Sequence, residues 1–126
     1  MQKDILREHA SKYKEELLAT VGFWEHHSVD REYGGFLNCL DRDGSVYGYD
    51  KSMWLQGRAV WLFSRLYNDV EKKPEWFEAA RQGYDFLVNN GFDADGRMFF
   101  TVTRDGSPLR KRRYLFTETF AVIAMA

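Results

Sequence analysis

Apolar residues at Leu6, Ala10, Tyr13, Leu17, Val21 and Trp24 recur at steps of three and four, with Lys12, Lys14, Glu15 and Glu16 between them. That spacing predicts an amphipathic helix with one buried stripe, ending at His26-His27. Gly34-Gly35 follows, two residues without Cβ that allow a sharp backbone turn. Residues 36–40 and 46–49 then read as short strands joined through Asp43-Gly44, a hairpin signal. From about residue 51 to 68 the pattern changes. Met53, Trp54, Leu55, Val60, Trp61, Leu62, Phe63, Leu66 and Tyr67 leave no broad polar face, so this second helix is expected to be surrounded by protein. Pro74 suits a first helical turn, where its missing N–H is harmless. Trp76, Ala79, Ala80, Tyr84, Phe86 and Leu87 carry a third, amphipathic helix to about Asn90, with Gly91 as its terminator. A second hairpin over 98–103 turns at Asp105-Gly106, and residues 114–126 begin a fourth helix that is again mostly apolar.

The pattern contains itself twice. Asp41-Arg42-Asp43-Gly44-Ser45 recurs as Thr103-Arg104-Asp105-Gly106-Ser107, an offset of 62 residues. The same offset carries Trp54 onto Phe116, Ala59 onto Ala121 and Val60 onto Val122. Two units follow, about residues 1–68 and 69–126, each a helix, a hairpin and a helix. A fixed period marks an array whose units bury their apolar faces on neighbours, usually about three units or more. The chain therefore reads as the front of something longer, an N-terminal fragment of a single domain. Outer amphipathic helices alternate with inner buried ones, and the simplest closed form of that alternation is a mainly α, α/α toroid. Its inner helices would surround a central funnel, with both hairpins at the same rim.

An apolar share of 44% and an aromatic share of 17% are enough for a dense core. The net charge of −1 hides no strong asymmetry. The basic run Arg110-Lys111-Arg112-Arg113 is the one candidate for nucleic-acid or phosphate contact and reads first as a solvated link between hairpin and helix. A lone cysteine, Cys39, excludes an internal disulfide and suits a reducing compartment. No apolar stretch approaches the ~18–20 residues of a membrane span, and Met1-Gln2-Lys3-Asp4 opens a charged helix, not a signal peptide. The expected setting is the cytoplasm, with no nucleic-acid or membrane partner and with homo-oligomerisation left open.

Candidate chemistry falls on the inner helices. Arg58 is the only charged residue between Lys51 and Arg65, in the middle of the most apolar helix. A buried guanidinium needs a carboxylate, carbonyls or a polar cavity, so it is either half of a salt bridge or a fork facing an oxygen-rich ligand in the central space. Trp54 lies one turn earlier on the same face, core or sugar platform, and Gln56 adds a neutral amide. Glu118 aligns with Gln56 through the offset, as a residue of the same central space or as a partner for Arg113 or Arg58. His9 sits on the polar side of the first helix, and adjacent His26 and His27 point about 100° apart, a poor metal site. Glu25, Asp30 and Glu32 are an acid/base pair by residue type alone, with nothing to fix their separation. No phosphate loop, CxxC or Ser-His-Asp order is present, so no metal or cofactor is expected.

Phe23-Trp24, Tyr33-Gly34-Gly35-Phe36, Asp41-Arg42-Asp43-Gly44, Trp54-Leu55-Gln56-Gly57-Arg58 with Trp61, Arg65-Leu66-Tyr67, Thr103-Arg104-Asp105-Gly106 and Phe116-Thr117-Glu118 together resemble the N-terminal part of the N-acylglucosamine 2-epimerase family. The resemblance implies a partial (α/α)6 barrel, and six units of this length make one ring. It implies a small-molecule sugar as partner and epimerisation at C2 between N-acetylglucosamine and N-acetylmannosamine, with two histidines on later helices as acid and base. Arg58 matches the family arginine beside the carbonyl and C2 oxygens, where a fixed cation stabilises enolate charge. Phe116 matches an aromatic facing the sugar. Glu118 and Gln56-Gly57 fit the acetylglucosamine branch, and Trp54 and Lys51 carry over as substrate-binding residues. The alternatives are a cellobiose-type epimerase, an aldose-ketose isomerase, a glycoside hydrolase on a similar toroid, or a non-catalytic interaction fragment exposing Trp54, Trp61 and Phe63. With the acid/base pair elsewhere, these 126 residues alone are expected to be inactive.

Overall fold

The computed structural model describes residues 1–111 and 115–126. Helix α1 spans Gln2–Ser28. Strands β1 (Cys39–Leu40) and β2 (Val46–Gly48) form a hairpin, and β3 (Lys51–Ser52) leads into α2 (Met53–Arg65). A five-residue π-helical turn, Leu66–Val70, extends α2. Then come α3 (Pro74–Asn90), β4 (Thr101–Val102), β5 (Pro108–Arg110) and α4 (Phe116–Met125). The expected helix start at Tyr114 and the Arg112-Arg113 half of the basic run lie outside the described residues.

Local chemistry accounts for the boundaries. Pro74 opens α3 at its first turn, and the Gly91 N–H closes it on the Leu87 carbonyl. Gly34 and Gly35 take φ of 79° and 72°, the left-handed region that a side chain disfavours. The strands are shorter than expected over 36–40 and 98–103, and residues 51–52, expected to be helical, also differ. Residues 51–52 are extended, and pair antiparallel with β4 in the order β3-β4-β5, so the second hairpin adds its strand to the segment that precedes α2.

Helix α2 is the centre of the molecule and packs against both α3 and α4. Val21, Phe36, Val60, Phe63, Leu66 and Trp76 form one core, with the Phe36 and Phe63 rings stacked at 5.6 Å. Met53, Phe86, Leu87, Met98, Val102 and Ala121 form a second core beneath the hairpins. Gly57 sets the approach of the two inner helices: a Cβ there would lie 2.8 Å from the carbonyl oxygen of Phe120.

Two expectations of burial are corrected. The stripe of α1 is covered only near its C-terminal end, at Val21; Leu6 and Tyr13 are each 64% exposed. Helix α2 is not enclosed either, because Arg58 and Trp61 on its remaining side face solvent. The physical reason is the same in both cases: among the described residues no element packs on those faces. The accessible surface is 8502 Å², whereas a monomeric globular protein of 14.9 kDa is expected to expose about 7,000 Å². The chain thus carries roughly 1,500 Å² more surface than its mass requires.

Candidate active site

Trp54 and Arg58 stand one turn apart on α2, and Phe116 and Phe120 one turn apart on α4, so the close crossing at Gly57 brings all four together. The Arg58 guanidinium lies 5.4 Å from the Trp54 ring centre and 5.6 Å from that of Phe120. Trp54 is 5.8 Å from Phe116 and 5.4 Å from Phe120, and Phe116 meets Phe120 edge-on at 5.3 Å. Among the described residues no carboxylate pairs with Arg58. Arg58 is exposed and lines a cleft of about 420 Å³ together with Trp24, Asn38, Leu55, Gln56 and Trp61, whereas Trp54, Phe116 and Phe120 lie outside that lining. Two ring faces hold the cation in place while leaving its in-plane N–H donors for oxygen atoms. Phe120 was missed in the sequence, although it stands at the 62-residue offset from Arg58.

Lys51 is placed elsewhere. It is fully buried and uses all three protons, donating to Asp30 Oδ2 at 2.9 Å and to the carbonyls of Gly34 and Arg104 at 2.7 Å each. Its ammonium also sits 4.3 Å from the Phe86 ring centre. No donor is left for a sugar, so Lys51 is a structural cation. Asp30 accepts in addition from Arg104 Nε at 2.9 Å and Nη2 at 3.1 Å, and from the backbone N–H groups of Glu32 and Tyr33. Burial alone raises the Asp30 carboxyl, but the hydrogen bonds from Arg104 and Lys51 overcome it and hold the group at about 2. Arg104 is itself flanked by Tyr33 and Tyr49, with ring centres 5.1 and 5.0 Å away, and reaches Glu32 at 3.2 Å. The turn of the second hairpin is thus joined through this cluster to the loop that precedes the first.

Gln56 and Glu118 occupy matching places. Gln56 is buried and clasps one residue of backbone, its Oε1 accepting from the Phe36 N–H at 2.7 Å and its Nε2 donating to the Phe36 carbonyl at 2.8 Å. Glu118 Oε1 accepts from the Met98 N–H at 3.3 Å, and Met98 is 62 residues beyond Phe36. Both residues thus tie an inner helix to the loop before a hairpin. A carboxylate cannot donate, and Glu118 Oε2 is buried without a partner. Glu118→Gln, which supplies the missing donor, is expected to raise stability by about 0.5–1.5 kcal/mol, read as a higher urea midpoint at unchanged slope. A lower midpoint would show that Oε2 has a partner that the amide cannot replace.

The remaining candidates are accounted for by ordinary contacts. Glu25 accepts from Trp76 Nε1 at 3.2 Å, Glu32 pairs with Arg104, and Asp30 is committed, so the three carboxylates form no acid/base pair. His26 and His27 stack edge-on at 4.6 Å, and no metal-binding cluster of three His, Cys, Asp or Glu exists among the described residues. A larger hollow of about 570 Å³, between the end of α1 and the start of α3, is lined by Glu25, Arg31, Glu75, Glu78 and Gln82. Glu78 there is held by Arg81, and nothing in the hollow matches the cation and aromatic wall at Arg58. No helix among the described residues is long and apolar enough to cross a membrane.

The profile of the N-acylglucosamine 2-epimerase (GlcNAc 2-epimerase) family matches residues 34–126. The N-acylglucosamine 2-epimerase of Mus musculus is 40% identical over 98% of this chain, and the cellobiose 2-epimerase of Dictyoglomus turgidum is 31% identical over 84%. The chain spans 30% and 27% of those two proteins. The solved cellobiose 2-epimerase of Bacillus thermoamylovorans superposes with a TM-score of 0.84 at 27% identity, over 94% of this chain and 31% of the other. The fold is thus mainly α and is part of an (α/α)6 toroid.

Proposed function

Since this chain belongs to the N-acylglucosamine 2-epimerase family, whose relatives are carbohydrate epimerases, we propose that it is the N-terminal part of an enzyme interconverting N-acetylglucosamine and N-acetylmannosamine. The observation that carries the reading is the Arg58 guanidinium held over Trp54 and Phe120 with Phe116 beside them. Removing the proton at C2 of the open-chain sugar places negative charge on the neighbouring carbonyl oxygen. Arg58, fixed against the rings and unpaired with any described carboxylate, donates to that oxygen and stabilises the enolate. The aromatic wall receives the apolar face of the sugar. The proton itself is moved by groups outside these residues, because His26 and His27 lie stacked together at the end of α1 and neither lines the cleft. A cytoplasmic setting goes with this reading.

The test places residues 1–126 in the corresponding segment of the mouse enzyme and follows C2 deuteration of N-acetylmannosamine in deuterated buffer by NMR. The chimera is expected to exchange C2, its Arg58→Met variant to be slower by about 10²–10³-fold, and the isolated chain to show no exchange above background. An Arg58→Met chimera with an unchanged rate would remove Arg58 from the mechanism. The 31% identity to a cellobiose 2-epimerase favours a second reading, in which the same chimera prefers cellobiose; assaying both sugars separates the two.

A further inference from the structure

A further groove, of about 430 Å³, lies at the turn of the second hairpin and is lined by Tyr33, Tyr49, Thr103, Arg104, Asp105 and Ser107. Three segments of the chain wall it. The loop after α1 carries Tyr33, β2 leads directly into Tyr49, and the turn between β4 and β5 supplies the rest. Its volume falls in the range of small-molecule sites, about 300–1,000 Å³, and it shares no lining residue with the cleft at Arg58.

The polar groups of the groove are fixed but only partly spent. Arg104 donates through Nε and Nη2 to the buried Asp30, reaches Glu32 through Nη2 as well, and accepts from Lys51 on its carbonyl. Among the described residues no acceptor meets its Nη1. Asp105 accepts through Oδ1 from the Thr103 hydroxyl and, at 3.2 Å, from the Ser107 N–H, and no described donor meets its Oδ2. A planar donor and an ionised acceptor thus stand side by side in one short turn, next to two tyrosines that are 47% and 50% exposed.

Charge decides the kind of ligand. Lys51 and Arg104 stand with Asp30, Glu32 and Asp105, two cations against three carboxylates, so an anion is not drawn in. The guanidinium in the lining equally opposes a cation. A neutral molecule rich in hydroxyls suits both groups, because one hydroxyl can accept from Arg104 while its neighbour donates to Asp105. The C–H face of a sugar ring then covers tyrosine surface that is otherwise wet.

We propose that this groove binds a neutral saccharide in its closed-ring form, with Arg104 Nη1 and Asp105 Oδ2 on adjacent hydroxyls and the two tyrosines against the ring. This inference stands apart from the epimerase reading, since a closed ring presents no carbonyl for Arg58 to act on.

The test titrates the isotope-labelled full chain with methyl β-glucoside, a sugar locked as a ring, and follows backbone amides by two-dimensional NMR. The amides of Tyr33, Tyr49 and residues 103–107 are expected to shift together along one saturating curve. Tyr49→Ala and Asp105→Asn are each expected to weaken binding by about tenfold. Neither change removes a core contact, because Tyr49 is half exposed and asparagine keeps the Oδ1 acceptor of the turn. Arg58→Met is expected to leave the curve unchanged. Shifts that vanish in Arg58→Met would place the sugar in the other cleft, and equal shifts with inorganic phosphate would make the groove an anion site. Affinity untouched by both groove variants, or no shift at those amides, would leave the groove without a saccharide. Each of these results overturns the proposal.

Discussion

Lys51→Ala is expected to destabilise this chain by about 3–5 kcal/mol, a large share of the roughly 5–15 kcal/mol that a native domain has. The substitution removes a cation from a site with no exposure, leaving the Asp30 carboxylate and the carbonyls of Gly34 and Arg104 with lost donors. Urea unfolding followed by circular dichroism reads the loss. A change below about 1 kcal/mol, in the range of an exposed pair, would return Lys51 to the pool of residues available to a ligand. Acid acts on the same cluster. The folded-state value of Asp30, about 2, lies below its ordinary 3.8, so its contribution is complete above pH 4 and is lost as pH falls from about 4 to 2. The difference is worth about 2 kcal/mol. Asp30→Asn should flatten that part of the stability profile, and an unchanged acid limb would assign it to other carboxylates.

Gly57→Ala is expected to cost about 1–3 kcal/mol even though alanine is the better helix former. A Cβ at this position meets the backbone of Phe120, its carbonyl oxygen at 2.8 Å and carbonyl carbon at 2.9 Å, and backbone within a helix cannot turn aside as a side chain can. The inner helices must separate, and with them the rings that hold Arg58. Near-ultraviolet circular dichroism of the tryptophans should therefore change while far-ultraviolet helix content stays. A neutral or stabilising outcome would mean that α4 shifts without loss, and that the aromatic wall is looser than its spacing implies.

How much of this was legible in the sequence depends on the range of the interaction concerned. The helices follow from periodicity, and the meeting of Trp54 with Phe116 was signalled by the offset of 62 residues. The same offset held Phe120 against Arg58 in plain view, but an arginine and a phenylalanine do not look equivalent until the helices are seen to cross. Lys51 was misread in kind. A lysine before an apolar helix gives no sign that three acceptors surround it, and those acceptors come from Asp30, Gly34 and Arg104. Glu118 was placed by the right equivalence with Gln56, whose own role, clasping the backbone of Phe36, is invisible without coordinates. The stripe of α1 was read correctly as a pattern and wrongly as burial, because a pattern records what a face can cover and not whether this chain supplies the cover.

The buried cluster also orders events in time. Asp30 and Lys51 are 21 residues apart, whereas Arg104 stands 74 residues from Asp30. Closing the longer loop costs roughly 1 kcal/mol more in chain entropy than closing the shorter one. As the chain emerges from synthesis, the first loop and its lysine can find each other early, with one proton of the ammonium still lacking its acceptor at Arg104. The second hairpin arrives last and completes both groups at once, so the first unit rests in a half-satisfied state until its neighbour has formed.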